Sequence, residues 1–225
     1  MAVCDGTTLC RAERPGAIRL VCEAIRDALP APGPAFRCDP ALVEDIAMNF
    51  ESHVLVDMVV KQVQDAIQKG DQPAIAILEG EPSHTLSNSA YLRDPTRAAE
   101  FERQVAEEAN CIDLERLILA VPQISRPVVI DGDDVVRLRS PYTGGPVLED
   151  DGEMHVILWV LYDEEEGLDS GMVPFRRKRD CTPVFDAFDG SDYIFSIPLN
   201  FGGGPGLILL RELLDENLQR RRTRP

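Results

Sequence analysis

Apolar positions recur along this chain with two different periods, and the change of period divides it. Up to about residue 120 the spacing is mostly helical; beyond it, short β-branched runs alternate with turn residues. Residues 15–29, PGAIRLVCEAIRDAL, place Ile18, Cys22, Ile25 and Leu29 on one helical face behind a proline suited to a first turn. The next segment, PAPGPAFRCDP, has four prolines in eleven residues and so predicts an extended, semi-rigid spacer. Residues 1–34 therefore read as a helical arm on a Pro-rich spacer, and residues 35–225 as a single domain.

Asp39-Pro40 supplies a cap and a first-turn proline for the longest helical candidate, which runs to Lys69-Gly70. Val43, Ile46, Phe50, Val54, Met58 and Val63 form its expected apolar face as one long helix, the alternative being a break near His53, where VLVDMVV is rich in β-branched residues. PAIAILEG, residues 73–80, predicts a buried strand, and the polar EPSHTLSNSAYLR a loop. Asp94-Pro95 repeats the capping device before a helix with Ala98, Phe101, Val105 and Ala109 on one side, and Asp113 is expected to cap a helical continuation through Leu119.

From there the reading is β. PVVIDGDDVVRLRS forms two runs about Asp131-Gly132, a favoured hairpin turn, and MHVILWVLYDEEEGLDSGMVPFRRKR predicts a second hairpin with an acidic connection. SDYIFSIPL adds a strand and GLILLRELLDENLQRRR a closing helix with a basic tail. The fold class is α+β: a mostly antiparallel sheet of β-hairpins in the C-terminal half, packed against two long helices and a C-terminal helix, with the helical arm in front.

Composition narrows the function classes. Hydrophobic residues make up 44% and charged residues 28%, ordinary for a folded globular chain. A net charge of -16 repels phosphate backbones, which argues against nucleic acid as a partner. The N-terminus carries Asp5, Arg11, Glu13 and Arg14 where a signal peptide needs apolar residues, and the longest apolar runs, such as Val156 to Tyr162, fall short of a membrane span. The expected location is the cytoplasm, or a particle assembled there. Six cysteines without any C-x-x-C pair lack the spacing of structural zinc and are expected as free thiols.

One stretch carries the strongest hint of chemistry. SIPLNFGGGPGLILLRELL joins a strand to a helix through Gly202, Gly203 and Gly204, the arrangement in which free helix amides hold an anion. It has no Lys and hydroxyl after the last glycine, as a nucleotide phosphate loop requires, and no later strand with an acid, as a dinucleotide fingerprint requires. The turn resembles the G-x-G turn and helix that hold the coenzyme A pyrophosphate in acetyltransferases, although those folds add another strand after that helix. The structural alternative is a compact turn in which Gly204 caps and Pro205 starts the helix.

Other candidates are weaker. Carboxylates cluster at Asp131, Asp133 and Asp134, at Glu149 to Glu153, at Asp163 to Glu166 and at Asp186, Asp189 and Asp192, but no EF-hand spacing is met, so no metal is expected. His53 and His155 are expected in packing or surface positions. His84, in a polar loop beside Ser83, Ser87 and Asn88, is the one histidine placed for catalysis, as a base for Ser87 or a distant nucleophile. Two basic clusters, Arg176, Arg177 and Arg179, and Arg220, Arg221 and Arg222, make an acidic surface two-signed, which favours self-association.

The expected function is a noncatalytic interaction or assembly protein: an oligomer subunit, an adaptor or a virion component, with Ile18, Ile25 and Leu29 of the arm and the basic clusters as contacts. Its expected partner is protein, chiefly another copy of itself, and no cofactor is expected. The alternatives are a small transferase or hydrolase holding a phosphate-containing ligand at Gly202 to Gly204 with His84 as base, and an acidic antitoxin or immunity-type protein masking a basic partner.

Overall fold

The computed structural model of the chain describes residues 48–130, 133–148, 152–185, 194–195 and 204–213. The arm residues 1–34, Gly202, Gly203 and the tail with Arg220 to Arg222 lie outside the described residues.

Helix α1 (Phe50–Gln68) leads into the hairpin β1 (Ala74–Glu81) and β2 (His84–Asn88), then α2 (Pro95–Asn110). A long strand β3 (Asp113–Ile130) turns into β4 (Asp133–Arg139), and the hairpin β5 (Met154–Asp163) and β6 (Gly167–Arg177) follows. Short strands β7 (Pro183–Val184) and β8 (Ile194–Phe195) pair with β6, and residues 207–213 form α3. Every pairing is antiparallel, in the order β2-β1-β3-β5-β6-β7, with β4 on β3 and β8 on β6. The α+β class and the mostly antiparallel sheet of the sequence reading are what the molecule has.

The sheet is covered on both sides, because its central strands carry apolar residues on both faces. Ile118, Ala120, Ile157, Trp159 and Leu161 face α1, meeting Leu55, Val56, Val59, Val60, Val63 and Ile67. Leu117, Leu119 and Val121 face Phe101, Val105, Ala106 and Ala109 of α2 and Leu209 and Leu213 of α3. β-branched residues cost a helix about 0.5 kcal/mol each, while burying a Val or Ile side chain contributes about 1.5–3 kcal/mol. Packing therefore wins over propensity, and α1 runs unbroken through VLVDMVV.

Three expectations are corrected. Asn49 is the N-cap of α1, with extended backbone and a side chain that accepts from Ser52 N at 2.7 Å, so no continuous helix runs from residue 40 to 68. The segment read as a loop contains β2, because Thr85, Leu86 and Ser87 pair with the buried β1. Asp113 opens β3 and not a helical turn: residues 117–121 form an apolar run buried on both faces, which a central strand satisfies and a surface helix does not.

Strand β3 has an unusual division of labour. Residues 113–120 pair with β1 and residues 124–130 with β4, both along the same edge, and Pro122, which has no amide to give a ladder, lies in the interval. On the other edge β5 ends its pairing at Ser125, so beyond that point β3 and β4 continue as a two-stranded ribbon.

Trp159 and Gly171 stand directly opposite on β5 and β6, and the indole lies across the glycine. A Cβ at Gly171 would come within 2.5 Å of the Trp159 ring. Gly171→Ala is expected to lower stability by about 1–3 kcal/mol, read from urea unfolding followed by the fluorescence of Trp159, the single tryptophan. An unchanged midpoint and an unchanged emission maximum would show that the indole has room to move.

Candidate functional site

The glycine turn is the natural starting point. Pro205 and Gly206 form a turn, and Gly206 adopts a φ of +84°, outside the helical region, so α3 begins at Leu207 and not at Pro205. Gly206 O accepts from Leu210 N at 2.9 Å, which makes Gly206 the N-cap. A glycine has no side chain with which to cap, and Glu102 of α2 supplies one. Its carboxylate accepts from Gly206 N at 2.9 Å, Ile208 N at 2.9 Å and Leu209 N at 3.2 Å. Tyr91 donates its hydroxyl to the same carboxylate.

Glu102 is buried, in company with Phe101, Val105 and Ala106. The three amides and the hydroxyl replace the water it lost, and the dipole of α3 favours a negative charge there. Burial first, then the charge and hydrogen bond of Glu102, push the Tyr91 phenol far above its usual range, so it remains a donor. The amides an anion would use at this helix end are thus taken by a carboxylate of the chain itself. Gly204 is half-buried beside them.

His84 is a β2 residue, opposite Leu78 and on the α2 side of the sheet, with Nδ1 3.5 Å from Glu108 Oε2. Ser87 is three residues on, opposite Ile75, and so on the other face of the strand. Ser83 donates its hydroxyl to Leu78 O at 3.1 Å. A histidine base and either serine are not brought together. His155 stacks on Phe175 with centroids 5.1 Å apart, and its Nδ1 is buried without a hydrogen-bond partner. Burial, then the nearby Arg177 and Arg139, bring its pKa down to about 4.

Two further carboxylates organise loops. Asp163 ends β5 and accepts from Ser52 Oγ at 2.8 Å, Asn49 Nδ2 at 3.2 Å, Glu165 N at 2.8 Å and Glu166 N at 3.0 Å. Burial alone would raise its carboxyl, but these donors outweigh it and hold Asp163 below the usual range. Glu166 in turn accepts from Asn49 N at 3.1 Å, so the start of α1 is tied to the β5–β6 turn. At the other end of the sheet Arg139 pairs with Glu153 at 2.7 Å and donates to Thr143 O, Gly145 O and Pro146 O, holding the loop after β4. The Arg139 hydrogen bond, then the Leu148 amide, bring the Glu153 pKa down to about 2.

Charge is unevenly spread over the described surface. Glu81 and Asp113, Glu79 and Arg116, and Arg116 and Asp163 are neighbours across the strands, so one end of the sheet gathers these acids with Glu51, Glu115, Glu164, Glu165 and Glu166. Arg116 bridges Glu51 at 2.6 Å and Glu79 at 2.7 Å. Arg176, Arg177 and Arg179 lie at the β6–β7 turn, where Arg177 donates to Cys181 O at 3.0 Å and sits over the Phe175 ring.

The apolar face of α1 differs from the expected one. Leu55, Val56, Val59, Val60, Val63 and Ile67 are buried, whereas Phe50, Val54 and Met58 are 81%, 46% and 41% exposed. These three stand four residues apart on the side of α1 opposite the sheet, an exposed apolar stripe. Among the described residues no group of three or more His, Cys, Asp or Glu is arranged to hold a metal ion, and no helix is long and apolar enough to cross a membrane. Compared with known protein families, curated proteins and solved structures, the chain matches none.

Glu102→Ala removes the acceptor of three amides and a buried hydroxyl and is expected to cost about 3 kcal/mol or more. Hydrogen exchange should show the amides of Ile208 and Leu209 losing protection while those of β3 and β5 keep theirs. Equal protection in variant and parent would mean that α3 does not depend on this carboxylate.

Acid sensitivity follows from the shifted groups, His155 and Glu153 among them. His155 binds a proton at about 4 in the fold against 6.5 ordinarily, so its contribution is complete above pH 6.5 and is lost as pH falls toward 4. Glu153, at about 2 against 4.5, contributes fully above pH 4.5 and loses its share toward pH 2. Urea midpoints are therefore expected to fall from pH 6.5 downward, and His155→Phe to flatten the slope between 6.5 and 4; a variant with the parental slope would remove His155 from the account.

Proposed function

We propose that the protein is a noncatalytic interaction and assembly protein, working as a homo-oligomer or as one component of a larger complex. The observation that carries this reading is the stripe of Phe50, Val54 and Met58, which leaves large apolar side chains in water on the outer side of a helix whose inner side is fully packed. Such a face gains by being covered, and the reading favours another copy of this chain as the cover, since residues 15–29 carry apolar residues at helical spacing in the sequence.

The reading as a small transferase or hydrolase has less support. Its helix end holds Glu102, and the imidazole of His84 faces Glu108 with no serine on its side of β2. A second reading, an acidic protein that masks a basic partner, draws on one specific observation: at the end of the sheet around Arg116, carboxylates from α1, β1, β3 and the β5–β6 turn stand together. A basic surface would be steered there, in a salt-dependent way.

Sedimentation decides between self-association and its absence. The intact chain is expected to sediment as an oligomer, and the chain lacking residues 1–34 as a smaller species. A monomer in both cases overturns the assembly reading. Salt-sensitive copurification of a basic protein with the monomer would then favour the masking reading.

A further inference from the structure

A strand at the border of a sheet presents unpaired amides and carbonyls, which accept any extended chain laid against them unless something blunts the edge. In this sheet the bordering strands are β2 and β7, with β4 alongside β3. Two of them are blunted. β7 is two residues long and starts with Pro183, and β4 carries Asp133, Asp134, Arg137 and Arg139, the last of which ties down the loop that follows it. β2 has none of these devices. It has five residues, an ordinary strand length, without proline, lysine or carboxylate, and it keeps register with β1 from end to end. Among the described residues no strand pairs with its outer side.

The two faces of β2 differ. Thr85 and Ser87, opposite Ile77 and Ile75, lie on the α1 side of the sheet and are exposed. His84, Leu86 and Asn88 lie on the α2 side and are half-buried, and Leu86, the one apolar residue of the strand, packs in part against the core beneath α2. A partner strand must therefore bring small polar side chains to one face and a single apolar residue to the middle of the other.

We propose that this partner is β2 of a second copy, joined antiparallel about a two-fold axis at Leu86, so that two sheets continue into one. The inference rests on the assembly reading above and gives it a contact. A two-fold axis perpendicular to the sheet keeps the α1 faces of both copies on the same side, so facing residues must belong to the same face of the strand. Of the axes that this allows, the one at Leu86 pairs all five residues of β2: Leu86 with Leu86, Thr85 with Ser87, and His84 with the neutral Asn88. Axes at Thr85 or Ser87 pair fewer. Directly opposite residues have Cβ atoms about 5 Å apart, so each Leu86 covers part of what the other leaves in water, the facing hydroxyls exchange hydrogen bonds, and no charge meets its like. Backbone pairing supplies the attraction, as in other cases of strand addition, and the match on both faces selects a second copy over an unrelated extended segment.

The test uses the full chain in two forms changed only at exposed positions, Thr85→Lys with Ser87→Lys and Thr85→Glu with Ser87→Glu. Position 85 of one copy faces position 87 of the other, so each form alone opposes like charges twice, and an equimolar mixture opposes unlike ones. Sedimentation over a concentration series is expected to show self-association weakened about tenfold or more in each form and restored in the mixture. Mixing does not repair a damaged fold, so restoration separates pairing from misfolding. The unaltered chain gives a second reading: amides of residues 84–88 are expected to exchange about tenfold more slowly at concentrations where it associates than where it does not. An associating chain whose β2 amides exchange at one rate throughout, or whose charged forms associate like the parent, overturns this contact and leaves the assembly reading standing. Weakening that the mixture does not reverse overturns the register about Leu86. A parent chain that stays monomeric overturns both the contact and the assembly reading.

Discussion

A sheet whose middle strands are apolar on both faces has no side to turn toward water, and that constraint governs the rest of this structure. In β3 and β5 successive residues from 117 to 121 and from 156 to 161 are all buried, so helices must cover each face. The first cover is α1, a single helix with a broad buried side. The second is composite, with α2 laid across one half and α3 brought up beside it.

The composite cover explains the burial of a charge. Two helices that meet over a sheet must each end somewhere, and α3 begins inside the apolar layer with its first amides facing away from water. Free amides there would cost several times what a solvated helix end costs. Glu102 answers them from the neighbouring helix, and Tyr91 closes the remaining side of the carboxylate. The start of α3 at Gly206, Ile208 and Leu209 is thereby a joint between two helices.

How much of this was legible in the linear order depended on whether the signal was local. The hairpin from Met154 to Arg177 has an unbroken apolar run and a turn in one continuous stretch, and the cap Asp94-Pro95 is a local hydrogen bond to Thr96 N. The stripe on α1 was misassigned because Phe50, Val54 and Met58 keep helical spacing as faithfully as Val56, Val59 and Val63 do; only the sheet decides which face goes inside. Glu102 left a trace that was readable. Ala98, Phe101, Val105, Ala106 and Ala109 surround it at three- and four-residue intervals, so it occupies a core position in an otherwise apolar pattern. Its acceptors' donors, more than a hundred residues later, were not readable. The strand β2 was hidden because its composition is that of a turn and its register comes entirely from β1.

The ribbon formed by β3 and β4 beyond Ser125 has a consequence for how relatives of this chain can vary in length. Among the described residues each backbone there pairs with one neighbour only. Adding one residue to each strand keeps the two in step and merely lengthens the projection, while adding a residue to one strand alone turns every later side chain over or forces a bulge. Paired insertions at this tip are the cheapest way for the molecule to change its reach without touching its core.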